Sequence, residues 1–544
     1  MTELLLVNAN VLTMDPARPR ASSIAVSGGR ITALDADGPA DDVVDLHGLT
    51  VLPGFHDAHN HMAWFGLSLT EADLRAPAVT SLDELYAAVA RQAVDTADGE
   101  WVVGAGYDQN KIGGHPDRDG LDAAAPGRRV WLRHVSGHMC VVNSLVLSDL
   151  GMASQAIDVP GGLVVTDAAG RPTGLLQERA QELASGLLRP YPVAVIADAI
   201  DRAGARYLSE GITSVTEAGV GGGWIGHTPA ELAAYQATRD TGRLHVRTEL
   251  MVASDVLHPI GAHPGDGIDL GLDLGIRTGF GDDWLRIGAM KIFTDGSLIG
   301  RTAAMSFDYN GQPGNKGYLQ ASADELKATI IAAHRSGWQV AAHAVGDLAI
   351  DVALDAYAEA QERYPRAGTR HRIEHFAVCR PDQLSRAAGL GVVPVPQGRF
   401  ATEIGDGFLA ALPPEHHGWL YRQRSLLTAG LTLPGSSDRP VVSGAPLLGV
   451  HDMVNRRTAA GASFNAGEAI TAEEALRAYT AGSADASHTE RTRGMVAPGM
   501  LADLVILSDD PVAVSPGSIG AIQVLATFID GNCRFSRTDV VPQA

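Results

Sequence analysis

Two textures of apolar and polar positions alternate along the chain. Over residues 1–53, short apolar runs are broken by turn residues, in "ELLLVNANVLTM", "SIAVSGGRITALDA" and "DVVDLHGLTVLPG". No helix-period segment appears there, so the stretch predicts strands, with "SGGR" as a hairpin turn. Beyond Pro53, alanine-rich amphipathic stretches take over: "SLDELYAAVARQAV", "PVAVIADAIDRAGARYLSEG", "ADELKATIIAAHRSG" and "AIDVALDAYAEAQERY". They take turns with short apolar runs, "TSVTEAG", "IGAMKIFTDG", "QVAAHAVGD", "HRIEHFAV", "VVPVPQ" and "LTLPGSSD". Helices alternating with short buried strands predict a parallel sheet.

Several of these runs end in a polar residue able to do chemistry. In a (β/α)8 barrel, that is where active-site residues sit. The span from His59 to Asp438 exceeds the roughly 250 residues of a plain barrel. The excess falls mainly between His61 and "GITSVTEAG", which places an inserted subdomain at about 70–190, over the mouth of the site. After about 490 the strand texture returns in "GMVAPGMLADLVILSDDP" and "AIQVLATFIDGNCRF". The expected architecture is therefore α/β. Residues 54–489 form a (β/α)8 TIM-type barrel with its insertion, and 1–53 and 490–544 supply the two parts of a small β-sandwich.

Composition narrows the partners rather than the fold. With 45% apolar and 19% charged residues, the 544-residue chain has ordinary globular composition and enough length for more than one domain. A net charge of −21, spread along the chain, argues against nucleic acid or an anionic membrane as partner. Cys140, Cys379 and Cys533 are too widely spaced for a disulfide framework or a CxxC metal site. The amino terminus lacks a basic region before its apolar run, and Asn8 and Asn10 break that run, so it reads as a first strand and not a signal peptide. No apolar stretch approaches the ~20 residues of a membrane span, which leaves the cytoplasm as the default location. A homodimer is the expected assembly.

The chemistry begins at "GFHDAHNHM". On a strand, residues i and i+2 share a face, so His59 and His61 project together with Asp57, and His56 points the other way. Two neutral imidazoles side by side make half a site for a transition metal. An HxH pair alone is more often a plain polar patch, so further ligands have to come from elsewhere. Lys291 lies inside the apolar run "IGAMKIFTDG", where burial penalises its charge. It is either a buried lysine paired with a carboxylate or a deprotonated amine that captures CO2 as a carbamate able to bridge two metal ions. His343 ends "WQVAAHAVGD", His375 ends "HRIEH" and Asp438 ends "LTLPGSSDRP". Taken singly, each histidine reads as a satisfied core residue and the aspartate as a cap. Together, HxH, Lys, His, His and Asp fall in that order at successive strand ends.

That order resembles the amidohydrolase superfamily over nearly the whole chain. "PGFHDAHNHM" looks like its first-strand signature, and "GMVAPGMLADLVIL" like its return to the terminal β-sandwich. "KIFTDGSLIGRTA", "HAVGDLAIDVALDAY", "RIEH" and "SSDRPV" resemble the branch that contains N-substituted formamide deformylase. The resemblance implies His59 and His61 on one divalent ion, and His343 and His375 on a second. It implies Lys291 as the carboxylated bridge, and Asp438 as ligand and proton shuttle. Zinc suits these donors first, with manganese, iron or cobalt also fitting. The implied reaction is hydrolysis of a small-molecule amide, or of an N-formyl or N-acyl amine, by a metal-activated hydroxide. His56 departs from the family's usual apolar residue and is taken as structural. "SLIGRTA" departs slightly from the usual small-residue run.

Near the expected mouth, His138 in "VSGHMC", Glu178 in "GLLQERA", Glu217, Asp295, Arg301 and Trp64 are candidates to face the substrate, each as readily a structural contact. Glu178 is the one expected nearest the metals. Phe65 is expected in the core, and His416-His417 in a loop. Three rivals stand beside the linear amidase. A deaminase of the superfamily typically uses one metal and lacks the lysine, and a cyclic-amide hydrolase shares the two-metal site. A catalytically silent regulatory or binding protein on the same scaffold would be expected to have lost a ligand, and none is missing here. "GVGGGWIG" lacks the lysine and spacing of a P-loop.

Overall fold

The computed structural model describes residues 2–222 and 225–537, so two positions of "GVGGGWIG" lie outside the described residues. Its centre is a parallel sheet of seven strands: β1 (Phe55–Asn60), β2 (Ile212–Val220), β3 (Arg247–Ala253), β4 (Leu285–Phe293), β5 (Val340–Ala344), β6 (Arg372–His375) and β7 (Val393–Val395). The strands pair in sequence order, each parallel to the next. The segment ending at Asp438 takes the eighth place without forming a strand. It closes on β1 through Ala58 N–H to Gly435 O (2.9 Å) and Asp438 N–H to His59 O (2.8 Å). A nearly closed parallel sheet of this kind is a TIM-like barrel.

The helices fall where the apolar spacing puts them, and local chemistry fixes their ends. Leu82–Asp95 starts on the Ser81 hydroxyl, which accepts from Glu84 N–H. Ala323–Arg335 starts on a reciprocal capping box of Ser322 and Glu325. The "SGGR" hairpin forms as expected. Ile24–Ser27 pairs antiparallel with Arg30–Leu34, and Gly28 and Gly29 both take the positive φ that a two-residue turn demands.

β3 escaped the sequence reading. Its run "RTELMVA" opens on Arg247, Thr248 and Glu249, yet all seven residues are buried. The polar half is tolerated because its charges are matched. Arg247 donates to Asp503 (2.6 and 3.0 Å) and Asp530 (2.5 Å), and Arg286 approaches Glu249 at 3.2 Å.

Between β1 and β2 the chain builds a separate six-stranded sheet from Ala72–Asp73, Val102–Tyr107, Val130–His134, Met139–Val142, Pro172–Glu178 and Gly162–Thr166. Alternate residues of its strands feed two apolar clusters, Leu132 and Val141 into one, Trp131, Cys140 and Val142 into the other. The chain termini form two further sheets. One has four strands, all within residues 2–45, and the other joins strands at 10–12, 20–21 and 50–53 to three from 504–536. Leu6, Ile24 and Ile31 of the first share one apolar cluster with Val51, Ile506 and Phe528 of the second.

Arg247 ties the barrel to this terminal layer, since Asp503 and Asp530 belong to the C-terminal segment. Its removal leaves two carboxylates facing an unpaired space. Arg247→Met is expected to cost about 3–5 kcal/mol of stability, read as a lowered midpoint of chemical denaturation at unchanged slope.

Candidate metal centre

The strand ends bring the predicted ligands into one space. Donor atoms of His59, His375 and Asp438 lie within 4.8 Å of one another. The His59 ring centroid is 5.5 Å from that of His61 and 5.1 Å from that of His375, which is 4.5 Å from that of His343. Asp438 Oδ1 stands 3.2 Å from His59 Nε2 and 3.0 Å from His61 Nε2. Lys291, 2% exposed, reaches the same space with its Nζ 4.9 Å from the Phe293 ring centroid.

Each imidazole has one nitrogen tied to a neighbour. His59 Nδ1 meets Glu374 Oε2 at 2.5 Å, and His375 Nδ1 meets Gln397 Oε1 at 2.8 Å. His343 Nε2 meets the Gly296 carbonyl at 3.1 Å, and His61 Nδ1 lies 3.5 Å from Glu217 Oε1. An acceptor on one ring nitrogen fixes the tautomer and leaves the other as a lone pair. On His59 that second nitrogen, Nε2, is buried without a hydrogen-bond partner. A buried orphan nitrogen flanked by a carboxylate and a second imidazole is a donor set suited to a metal, so the residues present fit divalent ions.

The electrostatics agree. Burial lowers the Lys291 pKa to about 8, with the Glu374 and Asp438 carboxylates opposing the shift. Burial likewise brings His375 down to about 3 and His343 well below the usual histidine range, so both imidazoles are neutral and have a lone pair to offer. His61 goes the other way. Against burial, Asp438 and Glu217 raise it to about 9. Asp438, despite burial, is held well below the usual carboxylate range by His59 and His61. The pocket is arranged to hold positive charge between these groups.

Behind the ligands stand residues the sequence did not reveal. Glu374 is fully buried, and its carboxylate bridges His59 to Arg372, which donates at 2.7 and 3.0 Å. Against burial, the Arg372 guanidinium keeps it below the usual carboxylate range. Glu374 sits next to His375 in "RIEH", so only the pairing of β6 across the barrel exposes its role. Asp57, expected beside the HxH pair, instead accepts from Ser437 N–H (3.0 Å) and the Ser437 hydroxyl (2.5 Å), pinning the loop that carries Asp438. His56 turns away and meets Thr216 Oγ1 at 3.3 Å, a structural place as expected.

The candidate substrate residues separate into two groups. Glu178, fully buried, meets His138 Nδ1 at 2.8 Å, accepts from Gln320 at 3.2 Å and accepts from the Thr302 hydroxyl. The His138 ring lies 5.2 Å from that of His343. The "SLIGRTA" loop thus wraps over Glu178, so close that a Cβ on Gly296 would meet Glu178 Oε1 at 2.6 Å. Trp64 stands 5.6 Å from His61, ring to ring, with Arg133 of the inserted sheet 5.5 Å above its own ring. Glu217 accepts from Ala63 N–H (3.1 Å) and the Tyr235 hydroxyl (2.7 Å), so it is a support for His61.

Asp295 and Arg301 have other engagements. Asp295 accepts from three backbone N–H groups, of Ala304, Val345 and Gly346, and stands 3.6 Å behind His343 Nε2. Burial raises its pKa to about 7 against those bonds. Arg301 donates to the Asn310 carbonyl at 3.2 Å. In this structure both shape loops around the site. Phe65 stacks on Tyr207 in the core, as expected, whereas His416 and His417 sit not in a loop but in a short 3-10 helix, Pro414–Trp419, where His416 stacks on Phe307 and His417 meets the Leu409 and Leu412 carbonyls.

A parallel barrel whose strand ends converge on imidazoles, a buried lysine and an aspartate has the framework of a metal-dependent hydrolase. The chain belongs to the amidohydrolase family, whose sequence profile matches residues 42–535. It is 32% identical to N-substituted formamide deformylase of Arthrobacter pascens, over 99% of both chains. It is 30% identical to protein LONG AFTER FAR-RED 3 of Arabidopsis thaliana, over 98% of this chain and 91% of that one. Among solved structures, an uncharacterized metal-dependent hydrolase from Pyrococcus horikoshii superposes with a TM-score of 0.74 at 28% identity, covering 94% of this chain and 99% of that one.

Glu374→Gln keeps the shape of the side chain and removes the charge that orients His59. It is expected to weaken metal binding by about 10–100-fold, measured by competition against a chromogenic chelator.

Proposed function

We propose that the chain hydrolyses a non-peptide C–N bond, an amide or an N-formyl or N-acyl amine, at two divalent ions. His59, His61, Lys291, His343, His375 and Asp438 would hold them, with Lys291 as the carboxylated bridge. The observation that carries this reading is the set of four imidazoles, each tied through one nitrogen to an acceptor, around a buried lysine and Asp438. When bound, the ions supply Lewis acidity toward the carbonyl and make a water acidic enough to yield a nucleophile near neutral pH. Zinc is the first expectation for imidazole and carboxylate donors, and manganese, iron or cobalt fit the same set.

The chain's own groups do the rest. With its pKa lowered to about 8, roughly a tenth of the Lys291 amine is neutral at pH 7, against under one in a thousand for an ordinary lysine. The neutral amine is the form that adds CO2: a nitrogen–carbon bond forms, the nitrogen loses a proton, and a two-oxygen anion results. Asp438, ionised and held between His59 and His61, would take a proton from the attacking water. It then hands that proton to the leaving nitrogen. His138, oriented by Glu178, and Trp64 flank the ligands where a substrate would lie.

Lys291 weighs against a single-metal deaminase, and the full ligand set weighs against a silent scaffold protein. We take the two terminal sheets as one small β-sandwich and residues 54–489 as the catalytic barrel with its insertion. We take the enzyme as a cytoplasmic homodimer acting on small molecules. No single helix among the described residues is long and apolar enough to cross a membrane.

Elemental analysis combined with a screen of N-formyl amines, N-acyl amines and cyclic amides tests the reading. About two metals per chain and turnover of linear substrates are expected, whereas turnover of cyclic amides alone would move the assignment to a cyclic-amide hydrolase. Asp438→Asn should lower kcat by about 10²–10⁴-fold while retaining most metal, and Lys291→Ala should lose both metal and activity. A Lys291→Ala protein with two metals and full activity would remove the bridge.

A further inference from the structure

A cavity of about 320 Å³ opens beside the lysine. Its walls come from the ends of β3 and β4, the start of helix Ala323–Arg335, and Arg179 and Glu182 of the inserted segment. That volume is within the range of small-molecule sites. Lys291 itself lines it, 2% exposed, and has no hydrogen bond or ion pair among the described residues. The cavity therefore adjoins the candidate metal centre.

The lining is divided by chemistry. Phe293, Leu257 and Leu326 give it an apolar body. Its charged side chains beyond Lys291 are Glu182, Asp255, Glu325 and Arg179. The Glu325 carboxylate is engaged by Ser322 in the capping box. Arg179 lies 3.5 Å from Glu182, both partly exposed. Asp255 has no ion pair among the described residues, and a carbamate on Lys291 would add another negative group. Burial raises the Glu182 pKa, and the Asp255 charge pushes it the same way, while Arg179 and Arg189 oppose it. Arg179 thus offsets Glu182 alone, and the lining of this cavity keeps an excess of carboxylate over cation.

We infer that this cavity receives one arm of the substrate, an apolar chain of a few carbons ending in a protonated amine. This rests on the hydrolase reading above and specifies its substrate class: amides that carry a second, cationic amino group. The apolar walls take the chain, and Glu182 with Asp255 selects the charge at its end. An anionic arm of equal length meets the same carboxylates and is rejected.

Two chain-matched sets test the inference on the metal-loaded enzyme. One is N-formylpentylamine, N-formylcadaverine and the N-formyl derivative of the corresponding ω-amino acid. The other is hexanamide with its ω-amino and ω-carboxy counterparts. In at least one set the cationic compound is expected to exceed the anionic one by about tenfold or more in kcat/KM, carried by KM. The Glu182→Gln/Asp255→Asn double variant should bring that ratio toward one. Calorimetric binding of the same compounds gives a second readout that does not require turnover. A cationic preference in binding without hydrolysis of any compound would count against the hydrolase reading and leave only the cavity's preference for a cationic ligand standing. Hydrolysis with equal or anion-favouring ratios in both sets, or a ratio unmoved in the double variant, overturns the inference alone.

Discussion

The site rests on a buried ionic chain that crosses the barrel: Arg372 to Glu374 to His59. Arg372 and Glu374 are both fully buried, and the guanidinium grips the carboxylate with two nitrogens while also donating to the Ala58 carbonyl at 2.7 Å. Ions taken out of water this completely are tolerated only when geometry and hydrogen bonding are good. Here the same contacts that satisfy the ions also determine what His59 presents. With Nδ1 held by Glu374, Nε2 is left facing Asp438 and His375. The chain also links β6 to β1, which are not neighbours in the sheet. Barrel closure and ligand orientation are therefore one interaction seen from two sides.

That coupling explains what could be read from the sequence and what could not. The HxH pair was legible because strand parity alone puts His59 and His61 on one face. Lys291 was legible because a lysine inside an apolar run is conspicuous, and His343 and His375 because they stand at the ends of such runs. The long helices were legible from their spacing, and their caps from Ser81 and Ser322. Glu374 was not, because nothing local distinguishes a carboxylate that orients a ligand from one that faces solvent. β3 was missed because Arg247 and Glu249 look like surface residues until Asp503 and Arg286, distant in sequence, are brought beside them. Asp295 was open in sequence to a substrate contact or a structural one. The fold delivers three backbone donors to it and uses it to hold the turn before helix Asp347–Arg363.

The inserted sheet is part of the site and not merely a cover. Glu178, at the end of its strand Pro172–Glu178, is bonded to Thr302 and Gln320 of the loop after β4 and to His138 beside His343. Arg133 of the same sheet lies over Trp64, which neighbours His61. The insertion therefore touches both halves of the ligand set through separate contacts. A change in its sheet would be felt at the candidate ligands without altering any of them.

Backbone conformation gives a further reason to place function at these residues. His375, Asp438 and Glu178 all adopt positive φ, at 71°, 60° and 50°. For a residue with a Cβ, such a conformation costs about 1–3 kcal/mol and persists only where surrounding contacts over-determine it. Those contacts are present. Gln397 holds the His375 ring, Asp57 pins the Ser437 loop before Asp438, and Thr302, Gln320 and His138 surround Glu178. A regular eighth strand would have removed the strain at Asp438 but would also have turned its side chain by the alternation of the pleat. The irregular segment that closes the barrel is what allows one carboxylate to reach both His59 and His61.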